Sequence, residues 1–377
     1  MARKMLSGLA VVLGIAVLAA VFFEQPIRGQ NGGTRSGVPK FEPDPSWPKL
    51  LPDNYMLGQV GGIYVDSDDH IWVTSRPRTL DDNDTYAALN PPQADCCIPA
   101  PPVIEFDAEG NFLQGWGGPD TTPGWPDNEH GMFVDHKDNV WIGGNSTGKD
   151  TNLLKFSKAG KLLLQIGRKG TTGGSGDTAN LNRPAGIHVS PQTNEVFVAD
   201  GYGNRRVIVF DADSGAYKRH WGAYGKPPDD SVPRARTLDG PGPTQFTTVH
   251  AVRLSRDNLV YAADRVNNRI QVFRPDGTFV KEAFVERKTT TPEGTAFDIA
   301  FSADPEQRFL YLADGSNKKV QILDRQTLAV LGFFGGHGGH GPGQFFHLHS
   351  IATDSKGNVY IGESFGKRVV RWKYMGM

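Results

Sequence analysis

The hydrophobic and polar positions of the chain follow one pattern six times. A short apolar segment ends near Asp or Ser, a second segment rich in Val, Ile, Tyr and Trp follows a turn, and a third segment ends in Phe or Trp. The copies span residues 61–76, 130–145, 185–211, 250–273, 297–323 and 349–372. Short apolar segments bounded by turn residues are typical of β-strands. Six units of three or four strands predict an all-β chain folded as a six-bladed β-propeller.

The ends of the repeat region predict how the ring closes. The last copy stops just after its third strand, and residues 41–56 precede the first copy. We expect this preceding stretch to supply the missing outer strand of the last blade. The propeller is therefore assigned to residues 41–377, and the polar, Gly-rich residues 27–40 are interpreted as a linker.

The N-terminus differs from the repeats. Arg3 and Lys4 precede an apolar run from Leu6 to Phe23, which is the pattern of an export segment. Residues 1–26 are interpreted as a signal peptide or an N-terminal membrane anchor. We therefore expect an exported protein, periplasmic or extracellular, with the N-terminal segment as its one candidate membrane tether, because no second run of about 18 apolar residues follows.

Composition narrows the function classes. Charged residues make up 21% of the chain and the formal net charge is -1, which argues against a nucleic-acid partner. The Gly-rich bridges at 240–246 and 338–345 precede no predicted helix, so they are interpreted as crossovers between blades and not as phosphate loops. The two cysteines, Cys96 and Cys97, are adjacent. They form either an ordinary loop pair or a vicinal disulfide, and their number excludes a disulfide framework.

Histidine recurs at one position of the repeat. The residue that opens the first strand in the six copies is, in order, Gly61, His130, Ala185, His250, Phe297 and His349. Histidine therefore occupies this position in every second copy, and in a closed ring of six blades these copies lie about 120° apart. Three imidazoles at one depth predict a metal site with an open coordination position, which suits a catalytic zinc ion.

Two cations and a phenol are expected at the same mouth of the channel. In a blade the second strand runs antiparallel to the first, so its end lies beside the first strand's beginning. Arg76, Tyr202 and Arg265 follow second strands in this way. Such a set can bind an anionic group and transfer protons. His347 shares a strand face with His349 and is a weaker fourth ligand candidate; His188 lies out of register.

The chain resembles the peptidyl-α-hydroxyglycine α-amidating lyase family of NHL-repeat propellers over essentially the whole repeat region. The resemblance rests on three short motifs, EHG at His130, VHA at His250 and LHS at His349, and on DGYGNRR around Tyr202. It implies zinc on the three histidines, Tyr202 as the catalytic base, and Arg76 and Arg265 as functional arginines. The implied reaction cleaves the N–Cα bond of a carbinolamide and releases an amide and glyoxylate.

The sequence also departs from that family. The family has an Asp after the last zinc histidine that helps to bind a structural calcium ion, and this chain has Ser350. The resemblance then leaves the backbone carbonyls of Val60 and Met132 as calcium ligands. A cysteine near the family's catalytic tyrosine is replaced by Gly203. The expected substrate is a peptide, another carbinolamide or a different small molecule.

Two other functions stay open. The chain could be a non-enzymatic, extracytoplasmic NHL-repeat propeller that binds a protein or glycan partner, because a fold does not fix a function. A calcium-dependent lactonase on a similar propeller is a weaker alternative, since that chemistry favours acidic residues and Asn at the channel.

Overall fold

The computed structural model describes residues 37–377, which form six four-stranded antiparallel sheets arranged as a β-propeller. The predicted all-β, six-bladed fold is confirmed. The export segment expected over residues 1–26, and most of the linker expected over 27–40, lie outside the described residues.

Each blade contains four strands that follow one another from the channel outwards. Blade 1 consists of Gln59–Val65, Ile71–Arg76, Val103–Phe106 and Phe112–Trp116. Blade 2 consists of Glu129–Val134, Asn139–Gly144, Leu153–Ser157 and Leu162–Ile166. Blade 3 consists of Gly186–Ser190, Glu195–Asp200, Arg206–Asp211 and Tyr217–Trp221. Blade 4 consists of Val249–Leu254, Val260–Asp264, Arg269–Phe273 and Phe279–Phe284. Blade 5 consists of Ala296–Phe301, Phe309–Asp314, Lys319–Asp324 and Val330–Gly335. Blade 6 consists of Leu348–Thr353, Val359–Glu363, Arg368–Tyr374 and Phe41–Asp44.

The outer strand of blade 6 comes from the other end of the chain. Phe41–Asp44 pairs antiparallel with the last strand, with Phe41 opposite Tyr374 and Asp44 opposite Arg371. The Arg371 guanidinium also lies 2.5 Å from the Asp44 carboxylate. The expected closure strand is therefore present, and it joins the two ends of the propeller.

Hydrophobic clusters lie in every interface between neighbouring blades, including the one between blades 6 and 1. Strands buried on both faces explain the nearly continuous apolar runs of the second strands. A polar anchor recurs within this core: Trp72 donates to Asp66 at 2.9 Å, and Trp141 donates to Asp135 at 2.8 Å. These bonds satisfy buried indole N–H groups and fix the turn before each second strand.

Smaller elements complete the described chain. Tyr55–Met56 pairs in parallel with Ile98–Pro99, and a disulfide joins Cys96 to Cys97. Single 3-10 turns occur at Pro52–Asn54, Pro77–Thr79, Tyr86–Ala88, Ala223–Gly225 and Arg265–Asn267. Over residues 37–377, no helix is long and apolar enough to cross a membrane.

Candidate metal centre and the residues around it

The three histidines lie on β-bulges in the innermost strands. In blade 4, Val249 pairs with Asp264 and Ala251 pairs with Ala263, so His250 is the extra residue between them. His349 is the extra residue of blade 6 in the same way, and the bulge of blade 2 includes His130. A bulge redirects a side chain out of the regular alternation of a strand. It explains how these side chains reach the channel without displacing the interface packing.

The three imidazoles converge on the channel axis, as their register predicts. The ring centroids of His130, His250 and His349 are 4.7 to 5.0 Å apart. One nitrogen of each ring lies within 4.8 Å of the others, and all three residues are buried. A buried set of three imidazoles can bind a metal ion and leave a position open for a substrate.

Backbone carbonyls orient two of these rings. His130 Nδ1 lies 2.9 Å from the carbonyl oxygen of Ala185, and His250 Nδ1 lies 2.6 Å from that of Phe297. A carbonyl oxygen only accepts, so Nδ1 carries the proton and the lone pair is on Nε2. This is the arrangement by which metal-binding histidines are usually held. The Nδ1 atom of His349 is buried and has no hydrogen-bond partner among residues 37–377.

Electrostatics keep the rings neutral. Burial lowers the pKa of His130, His250 and His349 well below the ordinary value. The positive charge of Arg76 adds to the effect on all three rings, and Arg265 adds to it for His130 and His250. Neutral imidazoles are the form that binds a metal ion, so the donor set fits a transition-metal ion of the kind that imidazole ligands suit, zinc included.

Tyr202 places its hydroxyl against this centre. The phenolic oxygen lies 3.1 Å from His130 Nε2 and 3.0 Å from His250 Nε2. It also accepts a hydrogen bond from Arg265 Nη1 at 3.2 Å. A phenol has one proton to donate, so at least one Nε2 lone pair is left for another partner. The expected tyrosine and one expected arginine thus lie directly beside the histidines.

The loops that carry Tyr202 and Arg265 are fixed by the same device. Arg206 donates to Asp200 at 2.9 Å, and these two residues flank the Tyr202 loop. Arg269 donates to Asp264 at 2.9 Å on the two sides of the Arg265 turn. All four ion-pair side chains are completely buried. Blades 3 and 4 thus each contain a buried Arg–Asp ion pair, and these pairs fix both loops at the same mouth of the channel.

Arg76 is the third residue expected at this mouth. Its Nε donates to the carbonyl of Glu129 at 2.6 Å, next to His130, and its Nη1 lies 3.2 Å from Gln59 Oε1. Its Nη2 atom is buried and has no protein partner within the described chain. The guanidinium therefore keeps donor capacity for an anionic ligand.

One neighbour of the site was not expected from the sequence. Arg183 donates to the carbonyl of Tyr202 at 2.7 Å, and its guanidinium lies 5.9 Å from the Tyr202 ring centroid. Arg265 lies 5.2 Å from the same ring. Two guanidinium groups thus lie against the tyrosine ring. Arg183 has no periodic signal in the repeat, since it comes from the crossover before blade 3.

His347 and His188, the other two histidines compared with the register, are engaged elsewhere. His347 contacts Glu293 at 2.9 Å through Nε2 and Ser364 at 2.8 Å through Nδ1, so it is not one of the converging nitrogens. His188 packs against Phe133, with ring centroids 4.6 Å apart. A second cluster of potential metal ligands consists of Asp66, His70 and Glu105. These side chains already form hydrogen bonds with one another, the Trp72 indole, the backbone and Gln114.

The channel continues below the histidines as a narrow cavity with room for roughly one water molecule. Met132, Ser350, Arg253 and Asp298 are among its lining residues. The Ser350 hydroxyl is buried and has no partner within residues 37–377. Burial raises the pKa of Asp298, and the Arg253 guanidinium opposes this effect. Calcium ligation by the carbonyls of Val60 and Met132 stays a prediction.

Arg253 and Asp298 form an ion pair that was not predicted, although the strand sequences contain a signal for it. Arg253 and Asp298 interrupt the innermost strands VHAVRL and AFDIAF, where apolar residues otherwise dominate. Opposite charges inside adjacent buried strands indicate an ion pair.

Comparison with known proteins places the chain among relatives with several names. It is 26% identical over 94% of its length to the rat protein "Peptidylglycine alpha-amidating monooxygenase", of which it spans 34%. It is 23% identical over 92% of its length to a Caenorhabditis elegans protein named as a probable peptidyl-alpha-hydroxyglycine alpha-amidating lyase, and it covers 90% of that protein. It is 28% identical to mouse "NHL repeat-containing protein 3", over 78% of this chain and 70% of the mouse protein. No family model matches the chain.

Solved structures support the fold. A streptogramin B lyase superposes with a TM-score of 0.50 at 13% identity, over 89% of this chain and 98% of that one. A Bacteroides thetaiotaomicron protein of unknown function superposes with a TM-score of 0.54 at 13% identity, over 89% of this chain and 76% of that one. At this identity the likeness concerns the propeller architecture and not the chemistry.

Proposed function

We propose that this six-bladed propeller, a homologue of proteins named as amidating monooxygenases, hydroxyglycine lyases and NHL-repeat proteins, is a zinc-dependent lyase. The proposed reaction cleaves the N–Cα bond of an α-hydroxyglycine-type carbinolamide and releases an amide and glyoxylate. One observation carries the proposal: three buried imidazoles converge beside a phenol hydroxyl that a guanidinium contacts.

His130, His250 and His349 would hold the zinc ion. A bound zinc ion supplies a Lewis acid that makes a substrate hydroxyl more acidic. The tautomers fixed by the carbonyls of Ala185 and Phe297 favour this role, because they put the lone pairs of His130 and His250 on Nε2, the atoms that would act as ligands.

Tyr202 is the proposed proton carrier. In the reaction the carbinol O–H proton leaves, the C–O bond becomes the aldehyde of glyoxylate, and the N–Cα electron pair moves to nitrogen. The nitrogen then takes up one proton and forms the amide, so that no water and no redox partner is consumed. A phenolate could accept the first proton and the resulting phenol could donate the second, which makes one residue sufficient for both transfers. The Arg265 guanidinium donates a hydrogen bond to the phenolic oxygen at 3.2 Å and would hold that oxygen in place for both transfers.

The arginines are proposed to bind the substrate carboxylate. Arg76 has a buried Nη2 and Arg265 a buried Nε without protein partners in the described chain. Guanidinium groups bind carboxylates with well-defined geometry. Binding the end of the substrate that becomes glyoxylate would place the N–Cα bond beside Tyr202 and the histidines.

Metal content and product formation test the proposal in two steps. The purified protein is expected to contain one zinc ion per chain and to release glyoxylate from an α-hydroxyhippurate-type substrate. Chelation should abolish the release and added zinc should restore it. A metal-free protein that binds an extracytoplasmic partner after chelation would instead support a non-enzymatic propeller, the alternative suggested by the similarity to an NHL repeat-containing protein. Zinc without glyoxylate release would keep the metal centre and reject the substrate class.

A further inference from the structure

A buried ion pair lies in the channel below the histidines, and the proposed lyase reaction does not use it. Arg253 comes from the innermost strand of blade 4 and Asp298 from that of blade 5. Nη2 of Arg253 is 2.9 Å from both carboxylate oxygens of Asp298. The two residues are 8% and 5% exposed, so both charges are almost completely removed from water.

The contacts of this pair extend across four blades. Arg253 Nη1 donates to the carbonyl of Ile187 in blade 3 at 3.2 Å and to that of Val252 at 3.0 Å. The Asp298 carboxylate accepts hydrogen bonds from the backbone N–H groups of Ile299 at 2.8 Å and of Ile351, in blade 6, at 3.2 Å. The guanidinium and the carboxylate therefore connect the innermost strands of blades 3 to 6 close to the axis.

Carbonyl oxygens and a carboxylate that converge from different strands are the ligands that hard divalent cations prefer. In this channel the positive charge at their centre is a side chain. A guanidinium is permanently charged and has five N–H donors in a fixed plane, so it can satisfy several oxygens at once. A buried carboxylate without such a partner would be strongly destabilising.

We propose that the Arg253 guanidinium is a built-in cation that closes the channel below the histidines in place of a bound divalent ion. The folded propeller then requires no calcium. This role concerns stability, and it stands whether or not the lyase reaction takes place.

Replacing the guanidinium by an uncharged side chain of similar length tests the proposal. The full chain is compared with its Arg253→Met variant, each zinc-loaded and each measured with a calcium chelator or with millimolar calcium. The wild-type melting temperature is expected to be the same in both solutions. The Arg253→Met variant is expected to melt about 10 °C lower with chelator, because Asp298 loses its partner. Calcium should raise its melting temperature, and titration calorimetry should find one calcium ion per chain.

Two further variants keep the test decisive if Arg253→Met folds poorly. The double variant Arg253→Met with Asp298→Asn removes both charges, and we expect it to melt near the wild-type temperature and to bind no calcium. Arg256→Met is the matched control, since Arg256 lies nearby but contacts the carbonyls of Ala303 and Asp304 instead of Asp298. It should leave the melting temperature and its independence of calcium unchanged.

Two outcomes would overturn the proposal. In the first, the wild-type protein takes up a calcium ion and melts at a higher temperature for it. In the second, the Arg253→Met variant folds, but it binds no calcium and its melting temperature does not rise when calcium is added. Neither outcome affects the lyase proposal, because glyoxylate release is a separate readout.

Discussion

The even-numbered and odd-numbered blades differ at the repeat position that opens the innermost strand beside the channel. Blades 2, 4 and 6 have His130, His250 and His349 there, whereas blades 1, 3 and 5 have Gly61, Ala185 and Phe297. Innermost-strand bulges occur in blades of both kinds: Gly61 and Phe297 occupy the extra position just as His250 does. The bulge therefore recurs in blades 1, 2, 4, 5 and 6, and histidine occupies it only in the even-numbered blades.

The odd-numbered blades support the histidines through their backbone. The carbonyls of Ala185 and Phe297 accept the Nδ1 hydrogen bonds of His130 and His250, which lie in the preceding blades. Gly61 contributes space, because a Cβ atom there would collide with the carbonyl of Glu129. The even-numbered blades thus supply the three histidines, and odd-numbered blades supply the carbonyls that orient His130 and His250.

Removing one ligand should give the largest effect. The His250→Ala variant is expected to bind zinc at least about 100-fold more weakly, since even loss of a partner behind a ligand costs 10- to 100-fold. Glyoxylate release should fall to background with it. Metal content after dialysis against a weak chelator measures the change.

His188→Ala is the control for this experiment. His188 lies on the innermost strand of blade 3 but outside the register, and it packs against Phe133. Its variant should keep the full zinc content. Equal zinc loss from both variants would mean that the alternating register does not define the metal site.

Tyr202→Phe should separate proton transfer from metal binding. The variant lacks only the hydroxyl that lies 3.0 to 3.1 Å from the two histidines. Losing a general acid–base group lowers kcat by about 10²- to 10⁴-fold, whereas the zinc content should be unchanged. Steady-state glyoxylate kinetics and metal analysis on the same sample check both statements. Full activity in this variant would exclude Tyr202 as the proton carrier.

Gly61→Ala tests the supporting role of an odd-numbered blade. The added Cβ would lie 3.1 Å from the His130 Cα and still closer to the Glu129 carbonyl. The backbone around His130 must then move, at an expected cost of about 1–3 kcal/mol in stability and about 10-fold in zinc affinity. Chemical denaturation and zinc titration measure these effects.

Gly176→Ala is the matched control, because a Cβ atom there meets nothing within 4 Å. It should change neither stability nor zinc affinity. If Gly61→Ala bound zinc as tightly as the wild type, blade 1 would have no part in positioning His130.

The fold could be predicted because the same strand pattern recurs in six copies along the chain. Strand alternation, turn residues and the truncated last copy together indicate six blades and their closure by residues 41–56, and the structure has both. The histidine ring followed from the same register. Each of these inferences uses only the position of a residue within the repeat.

Other parts of the site could not be predicted, because they depend on contacts outside the register. Arg183 reaches Tyr202 from a crossover, and two residues that carry the tautomer-fixing carbonyls, Ala185 and Phe297, have no polar side chain that could have marked them. A bulge is also invisible in a pattern of apolar residues, since it adds one residue without changing composition.

Asp44→Asn should give the smallest effect on the metal centre, because it changes only how blade 6 is assembled. Burial opposes ionisation of Asp44, but hydrogen bonds from Ser46 and Arg371 outweigh it and lower its pKa to about 2. A carboxyl group with a lowered pKa stabilises the fold fully above its unfolded-state pKa of about 4 and loses this contribution as the pH falls towards 2. We therefore expect Asp44→Asn to lose roughly 1–2 kcal/mol at pH 7, while wild type and variant approach equal stability near pH 2.

Denaturation curves at several pH values measure this difference, and zinc content at pH 7 should stay the same. Zinc loss at pH 7 would show that closure of blade 6 also positions His349, and would make that blade unlike blades 2 and 4, whose strands are continuous in sequence.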